Sequence, residues 1–494
     1  MSPSPTRRER GSASAAWTAA GIVMAGCLLA TFTLATPSTA RRVIADPNAA
    51  PTDSLAPTPA ATSSVAFPTR GPQSSVFTGP GGRVYDCAKG QNAGATDVGV
   101  TPNEIRLAAT TVESGPAKDF LSDAKFGMLA VIQKVNRAGG ICGRQLSLQT
   151  RNDEWNTATG EGFIKSFIGD NRYFGLAVNP SSEGLRGGIE SKAIDRAGFP
   201  AVGADGMLID QYQDPWVWPV ATSTASVMHI MAADAYARGA RTFGIAWEDG
   251  YRFGVEGHDA FVGAVRRLHG TVNADAKLVH GQNDYSNQAS SFIGQCGGAD
   301  TLSKCDFIAM LLEPQTASQW VRGGGLGNGQ KHPAYGVGVP QPLFINSFAR
   351  DCAKYCAGMR AWTSFKPPLP PFDGDPVVRT YLSDLRAVSQ RADEIASNPH
   401  VEGAYVGMEL LVEALKRLGP SPSRAGIRRI LDSMVFDSGL GPTLRFSAGN
   451  HFASIKAQAY EDITQNDDRG TFENWRYTNS GFITDTDVGK DIPG

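Results

Sequence analysis

The chain has almost no net charge: 46 Lys and Arg stand against 48 Asp and Glu in 494 residues. Nucleic-acid proteins normally carry a basic surplus or stripe, so that partner class is not expected. Only 19% of residues are charged while 41% are hydrophobic. Wholesale disorder needs the opposite balance. Long apolar runs are scarce too. One uncharged stretch, Gly11 to Ala40, is long enough to matter, which excludes a multi-span membrane protein. Catalytic signatures are missing. There is no Gly-x-Ser-x-Gly elbow, no Gly-x-x-x-x-Gly-Lys-Ser/Thr loop and no His-Glu-x-x-His. Gly323 to Gly329 is glycine-rich, but it follows an apparent helix and fits no Gly-x-Gly-x-x-Gly pattern. His258, His269 and His280 are evenly spaced but cross a helix and a strand, so they need not converge. No catalytic residue, cofactor or metal ligand is assigned, and no enzyme activity is expected.

The uncharged stretch follows Arg7, Arg8 and Arg10 and ends in Ser38-Thr39-Ala40. A basic start, an apolar middle and small residues at a cut site make an export signal. Residues 1–40 therefore read as a signal peptide or an N-terminal membrane anchor. Met24-Ala25-Gly26-Cys27 resembles a lipobox, a third option that would put a lipid on Cys27. A membrane association is expected only through this end. Residues 41–85 read as a linker. Across 37–80, Pro, Ser, Thr and Ala fill 28 positions, 8 of them Pro, too little apolar surface to offset ordering entropy. Residues 1–80 hold 6 basic and 3 acidic side chains, leaving 40 and 45 for the rest, a mildly acidic body. The expected location is extracellular or at the cell surface.

Cysteine is sparse, with 7 in all. Outside the leader lie Cys87, Cys142, Cys296, Cys305, Cys352 and Cys356. An even number in an exported chain predicts disulfides, with about 15 connectivities open. Cys296–Cys305 and Cys352–Cys356 would each close a short loop, leaving Cys87 for Cys142 by elimination. Zinc is the alternative, but no C-x-x-C spacing or interleaved histidine supports it.

What fills the body is alternation. Short apolar strands at 105–110, 146–150, 174–178 and 199–202 are separated by helical patterns at 121–135, 162–168 and 184–197. A second cycle has strands at 243–247, 271–279, 307–312 and 334–339, with helices around Val227–Tyr236, Val255–Leu268 and Ala317–Val321. Helices follow at 378–388 and 405–418, then short strands from Phe436. Repeated βα units imply an α/β fold with doubly wound parallel sheets. Ligand crevices lie outside the carboxyl ends of such strands. The loops to watch are Glu113–Pro116, Asn179–Gly184, Gly203–Met207, Glu248–Phe253, Glu313–Thr316 and Pro340–Pro342.

The stretch Asn136-Arg137-Ala138-Gly139-Gly140-Ile141-Cys142-Gly143-Arg144, followed by a strand and Asp153, is distinctive. It resembles the type I periplasmic binding proteins, and most of all the leucine/isoleucine/valine-binding branch of ABC importers. Val100-Thr101-Pro102-Asn103-Glu104, Asn179-Pro180-Ser181-Ser182, Asp249 to Gly254 and Asp284-Tyr285-Ser286 resemble further family elements in the same order. Cys142 replaces a common Asn, and a bond to Cys87 would tie the N-terminal arm down.

The resemblance implies two lobes joined by a hinge. Lobe one would be 86–220 plus 346–432, and lobe two 221–345 plus 433–494. Family serines that hold a ligand carboxylate correspond to Ser181 and Ser182; capping of a helix by Ser182 is the plainer alternative. Ala204 and Asp205 lie where relatives use backbone groups and a hydroxyl, and Asp205 would repel a carboxylate or bind an ammonium. Phe253 stands where relatives carry a covering Tyr, and Tyr251 could supply the hydroxyl. Glu313 and Gln341 could meet an ammonium or amide, and Ser114 lies on the first strand-end loop. Trp216 and Trp218 are expected to pack near the hinge. The implied function is a solute-binding protein that carries an amino acid, amide or similar small molecule to the membrane subunits of an ABC importer. A ligand-sensing module of the same fold is the alternative.

Overall fold

The computed structural model describes residues 92–329, 331–341, 357–462 and 475–491, the positions Phe348, Cys352 and Tyr355, and two short strands, β1 (Val76–Thr78) and β2 (Val84–Asp86). The expected export segment, Cys87 and Cys356 lie outside the described residues. β1 and β2 pair antiparallel within the stretch expected to be linker.

The first sheet grows from the apolar strand β3 (Glu104–Thr111), which is buried along most of its length. After it come α1 (Lys118–Leu121), α2 (Ala124–Arg137) and β4 (Gln145–Asn152). The chain continues through α3 (Thr157–Gly169), β5 (Gly175–Ala177), α4 (Ser182–Glu190), α5 (Ala193–Ala197), β6 (Ala201–Ala204), α6 (Asp210–Gln213) and β7 (Val217–Pro219). These five strands are parallel in the order β4-β3-β5-β6-β7. The single helix expected over 184–197 is two, broken at Lys192 with φ +57°.

The second sheet follows α7 (Thr224–Arg238). It takes in β8 (Thr242–Asp249), α8 (Arg252–Arg267), β9 (Thr271–Val279), α9 (Ser286–Gln295), β10 (Phe307–Leu311), α10 (Pro314–Arg322), β11 (Val337–Val339) and β12 (Arg360–Thr363). All five residues of β10 are buried, as expected of a parallel strand covered on both faces. The chain then returns to the first sheet through α11 (Pro376–Arg386), α12 (Ala392–Ile395), α13 (Pro399–Leu418), α14 (Arg424–Leu431), β13 (Val435–Phe436) and β14 (Leu444–Arg445). It ends in the second with β15 (Lys456–Asp462), β16 (Trp475–Tyr477) and β17 (Ile483–Thr484). The order there is β16-β15-β12-β11-β10-β8-β9, with β17 beside β15 and β15 antiparallel to β12.

Two details correct the expected division. β12 bonds to β11 and β15 in the second sheet, so residues 360–363 do not belong with lobe one. Met434, Phe436, Leu444 and Phe446 pack with the first sheet's core, so that core extends past 433. α13 also begins at Pro399, capped by Asn398, six residues before the periodic pattern that predicts it. It lies directly on β6: a Cβ on Gly203 would sit 2.4 Å from Cα of Gly407, so neither backbone tolerates a side chain there.

The chain crosses between the sheets three times, and Thr222 ties the crossings together. Its N–H donates to Ser364 Oγ at 3.0 Å, and its hydroxyl lies 2.8 Å from Ser454 Oγ. The same hydroxyl donates to Lys456 O at 2.7 Å and accepts from Lys456 N at 3.1 Å. Thr222, Ser364 and Ser454 are all buried. Trp218 packs nearby, as expected: it is fully buried, stacks on His451 and donates to Asp432 Oδ1 at 3.2 Å. Cys296 and Cys305 are bonded to each other, the expected pair. Cys142 and Cys352 are each in a disulfide as well. Among the described residues no helix is long and apolar enough to cross a membrane.

Candidate functional site

The loops at the carboxyl ends of both sheets face one another. In the first sheet, Val178 and Asn179 take left-handed backbone, with φ +64° and +48°. For a β-branched residue this is strained, and such strain concentrates at functional loops. Asn179 Oδ1 pins the turn by accepting Thr110 N at 2.7 Å. Ser181 then caps α4 by accepting Gly184 N at 3.4 Å, and donates to Asp153 Oδ1 at 2.8 Å. The cap is Ser181, not Ser182. Ser182 Oγ instead accepts the indole N–H of Trp155 at 3.0 Å and lies 3.6 Å from Met207 Sδ. Ser114 stands apart: it donates to Glu154 Oε1 at 2.9 Å and accepts from Asn152 Nδ2 at 2.7 Å.

Trp155 is the residue that sequence reasoning passed over. It and Glu154 are also left-handed, φ +60° and +58°, which turns the indole into the seam between the lobes. It is 2% exposed. Its ring lies 4.3 Å from that of Tyr251 and 5.6 Å from that of Phe253, both from the second lobe, and 5.7 Å from Phe120 of the first. Tyr251 and Phe253 thus pack on Trp155. Two backbone contacts close the seam beside it. Glu183 Oε1 accepts Arg252 N at 2.9 Å, and Glu256 Oε2 accepts Ile209 N at 3.0 Å. The two lobes are therefore closed on each other.

Carboxyl groups crowd the seam. Asp205 accepts Met207 N at 3.3 Å and Gln211 Nε2 at 2.8 Å through Oδ1. Burial pushes its pKa up to about 7 despite those bonds. Burial and the neighbouring Glu256 likewise raise Asp210 to about 7. Burial raises Asp153 to about 6. Ala204 is buried at the end of β6, and its carbonyl accepts Val220 N at 3.1 Å. Asp205 and Gln341 share a small pocket with Val178, Pro180, Ala221, His400, Gly403 and Ala404. Its space of about 10 Å³ is room for about one water.

Glu313 sits elsewhere, fully buried at the N-terminus of α10. It caps that helix, accepting Thr316 N at 2.5 Å and Gln315 N at 2.8 Å. Glu248 Oε2 accepts Glu313 N at 2.8 Å, and His280 Nδ1 lies 2.5 Å from Glu248 Oε1. Burial first and Glu248 second raise Glu313 to about 7. The ligand atoms of Glu248, His280 and Glu313 lie within 4.8 Å of one another. His258 is held by Asp259 and Asp275. Among the described residues no possible metal-holding group brings His258, His269 and His280 together.

Residues 104–461 match the profile of a family described as periplasmic binding protein. The chain belongs to that family. Among solved structures, this periplasmic binding protein is similar to a leucine-binding protein of Thermotoga maritima. The two share 14% identity with a TM-score of 0.61, covering 77% of this chain and 98% of that one. The branched-chain amino acid transporter substrate-binding protein of Streptococcus pneumoniae, in complex with isoleucine, gives 15%, 0.61, 74% and 97%. A fatty acid ABC transporter substrate-binding protein of Thermomonospora curvata gives 15%, 0.62, 83% and 95%. At these identities the likeness is one of fold, the two-lobed type I clamshell. No curated protein matches the chain.

Proposed function

We propose that this periplasmic binding protein is exported, takes up a small polar ligand between its lobes and hands it to the membrane subunits of an ABC importer. The lobes open and close about the crossings tied by Thr222, Ser364 and Ser454. In this reading lobe one is the first sheet with α11 to α14, and lobe two the second sheet with α7 to α10. Binding does no chemistry; the protein supplies a closed compartment and a shape that the importer reads.

The observation that carries the reading is the seam itself. Loops from the carboxyl ends of both sheets meet there, two of them strained, and each lobe contributes partners to the other. The ligand is taken as polar because the seam holds Asp205, Asp210, Ser181 and Ser182, which a wholly apolar ligand would leave without use. Amino acids and amides fit this better than a fatty acid, although a neighbour in fold carries that name. Ser182 and the ring of Tyr251 face the ligand once Trp155 moves aside.

A thermal-shift screen of amino acids, amides, short peptides and amines tests the proposal. A ligand at 100 times its Kd stabilises by about 2.7 kcal/mol. Ser182→Ala is expected to weaken the hit. Small-angle scattering with and without the hit reads the lobe motion. A screen without any shift, or a hit indifferent to Ser182→Ala, would overturn the proposal.

A further inference from the structure

Two carboxylates lace the seam, each completing a helix start on the opposite lobe. α8 has no side-chain cap of its own, and Glu183 of the first lobe accepts the N–H of its first residue, Arg252, at 2.9 Å. α6 has none either, and Glu256 of α8 accepts the N–H of Ile209, the residue before it, at 3.0 Å. Each carboxylate is neutralised within its own lobe. Arg186 holds Glu183 at 2.7 Å and Glu190 at 3.0 Å, and Arg252 holds Glu256 at 2.9 Å. Asp210, the first residue of α6, is the exception. Both of its carboxyl oxygens are buried, and neither has a hydrogen-bond partner among the described residues.

We propose that closure of the lobes takes up a proton from solvent at Asp210, so that the closed form, and with it ligand affinity, strengthens as pH falls. The inference rests on the reading that the lobes open and close, and it names what regulates that motion. The charged groups around Asp210 are Glu256 and Arg252 of α8 and Glu190 and Arg186 of α4. β7, which packs on α6, carries no titratable group. Both arginines are taken by glutamates, so closure leaves Asp210 beside Glu256 without an ion pair. An ionised carboxylate is costly in that position, and a buried acid escapes the cost by keeping its proton. Burial first and Glu256 second push its pKa up to about 7. When the lobes part, α8 withdraws, Asp210 meets water and its carboxyl returns towards the ordinary carboxylate range. Between about pH 5 and 7 the closed form then holds one proton more than the open form, and the closed-to-open ratio falls about tenfold per pH unit. Above about pH 7.5 neither form holds that proton, and the ratio levels off.

Amide hydrogen exchange tests this without any ligand, because the N–H groups of Ile209 and Arg252 have their acceptors across the seam and exchange when it opens. The full chain is followed from about pH 5 to 8.5 as wild type, Asp210→Asn and Asp210→Ala, with exchange corrected for its intrinsic pH dependence and the amides of β10 as the reference for unfolding. In wild type, protection at Ile209 and Arg252 is expected to fall by at least about tenfold per pH unit between about pH 5 and 6.5 and to level off above about 7.5. In both variants that slope is expected to be smaller by about one power of ten per unit. A carboxyl with a merely structural role would change protection by the same factor at every pH. A wild-type profile without a slope, or a slope unchanged in either variant that folds, overturns the inference and leaves the hinge reading standing. If Ile209 and Arg252 exchange no faster than β10 at any pH, the lobes do not part without unfolding, and both readings fall.

Discussion

Replacing Trp155 by alanine should open the protein in the absence of any ligand. A tryptophan buries about 150–250 Å², and at about 25 cal/mol per Å² its loss costs about 4–6 kcal/mol, close to the range of about 3–5 kcal/mol seen for such truncations. Alanine keeps the left-handed strain at φ +60°, so no relief offsets this. Two of the three aromatic neighbours, Tyr251 and Phe253, belong to the other lobe. Roughly half of the lost contact therefore acts between lobes. A shift of about 2 kcal/mol moves the closed-to-open ratio by about 30-fold. Scattering should show a larger radius of gyration for Trp155→Ala than for wild type, and the urea midpoint should fall. Trp155→Phe keeps a ring in the slot and loses the N–H to Ser182 together with part of the indole's volume. It should cost about 1 kcal/mol and stay closed. An alanine variant with a wild-type envelope and a loss below about 1 kcal/mol would refute the reasoning, because the indole would then not hold the lobes.

The crossing at Thr222 offers a second test. Thr222→Val is isosteric but strips the hydroxyl from Lys456 N and O, so it should destabilise by about 2–3 kcal/mol, while Thr222→Ser should cost far less by chemical denaturation. Stability should also depend on pH with an acid-favouring sign. Asp205, Asp210 and Glu313 are raised to about 7, so the folded chain holds protons that the unfolded chain has lost. Their stabilising effect is full below about pH 4 and disappears as pH rises through 7, each on the order of 1.4 kcal/mol per pH unit. The melting temperature should therefore rise between pH 8 and 6.5; a flat or falling curve there contradicts the burial of these groups. Below that window the imidazole of His400, lowered to about 3, works the other way. Breaking Cys296–Cys305, nine residues apart, by paired serine substitution should cost about 2.5 kcal/mol in the loop-entropy picture.

The fold was legible because its signals are local. β10 reads as a continuous apolar run and α2 as a helical stripe, and both need only neighbouring residues to be recognised. What escaped depends on distant partners. β12 has four residues and gains its meaning from β11 and β15. The start of α13 was signalled only by Asn398-Pro399, a cap and a first-turn proline, a pattern open to reading in advance. In the site, Asp205 and Gln341 do reach the pocket, while Glu313 turns inward to cap its own helix. Trp155 follows an Asp-Glu pair on a strand-end loop outside those watched, and nothing in its composition shows that two left-handed residues aim it across the seam. His400 looks like any first-turn helical residue until the close approach of α13 to β6, set by Gly203 and Gly407, brings it beside Asp205.

Closing the lobes has an electrostatic cost that fits a ligand-gated device. Arg186 pairs with Glu183 at 2.7 Å and Arg252 with Glu256 at 2.9 Å, so the two arginines at the seam are already used. Asp205 and the carboxyl oxygens of Asp210 are buried and form no ion pair among the described residues, with Arg252 and Arg186 acting on Asp210 only from a distance. An unpaired buried carboxylate disfavours the closed state, and protonation relieves it only in part near neutral pH. Trp155 works in the opposite direction, adding apolar contact that holds the lobes together. In the proposed cycle the unliganded equilibrium is a balance between the indole and the carboxyl groups. A ligand can shift that balance only by binding the closed form better than the open one.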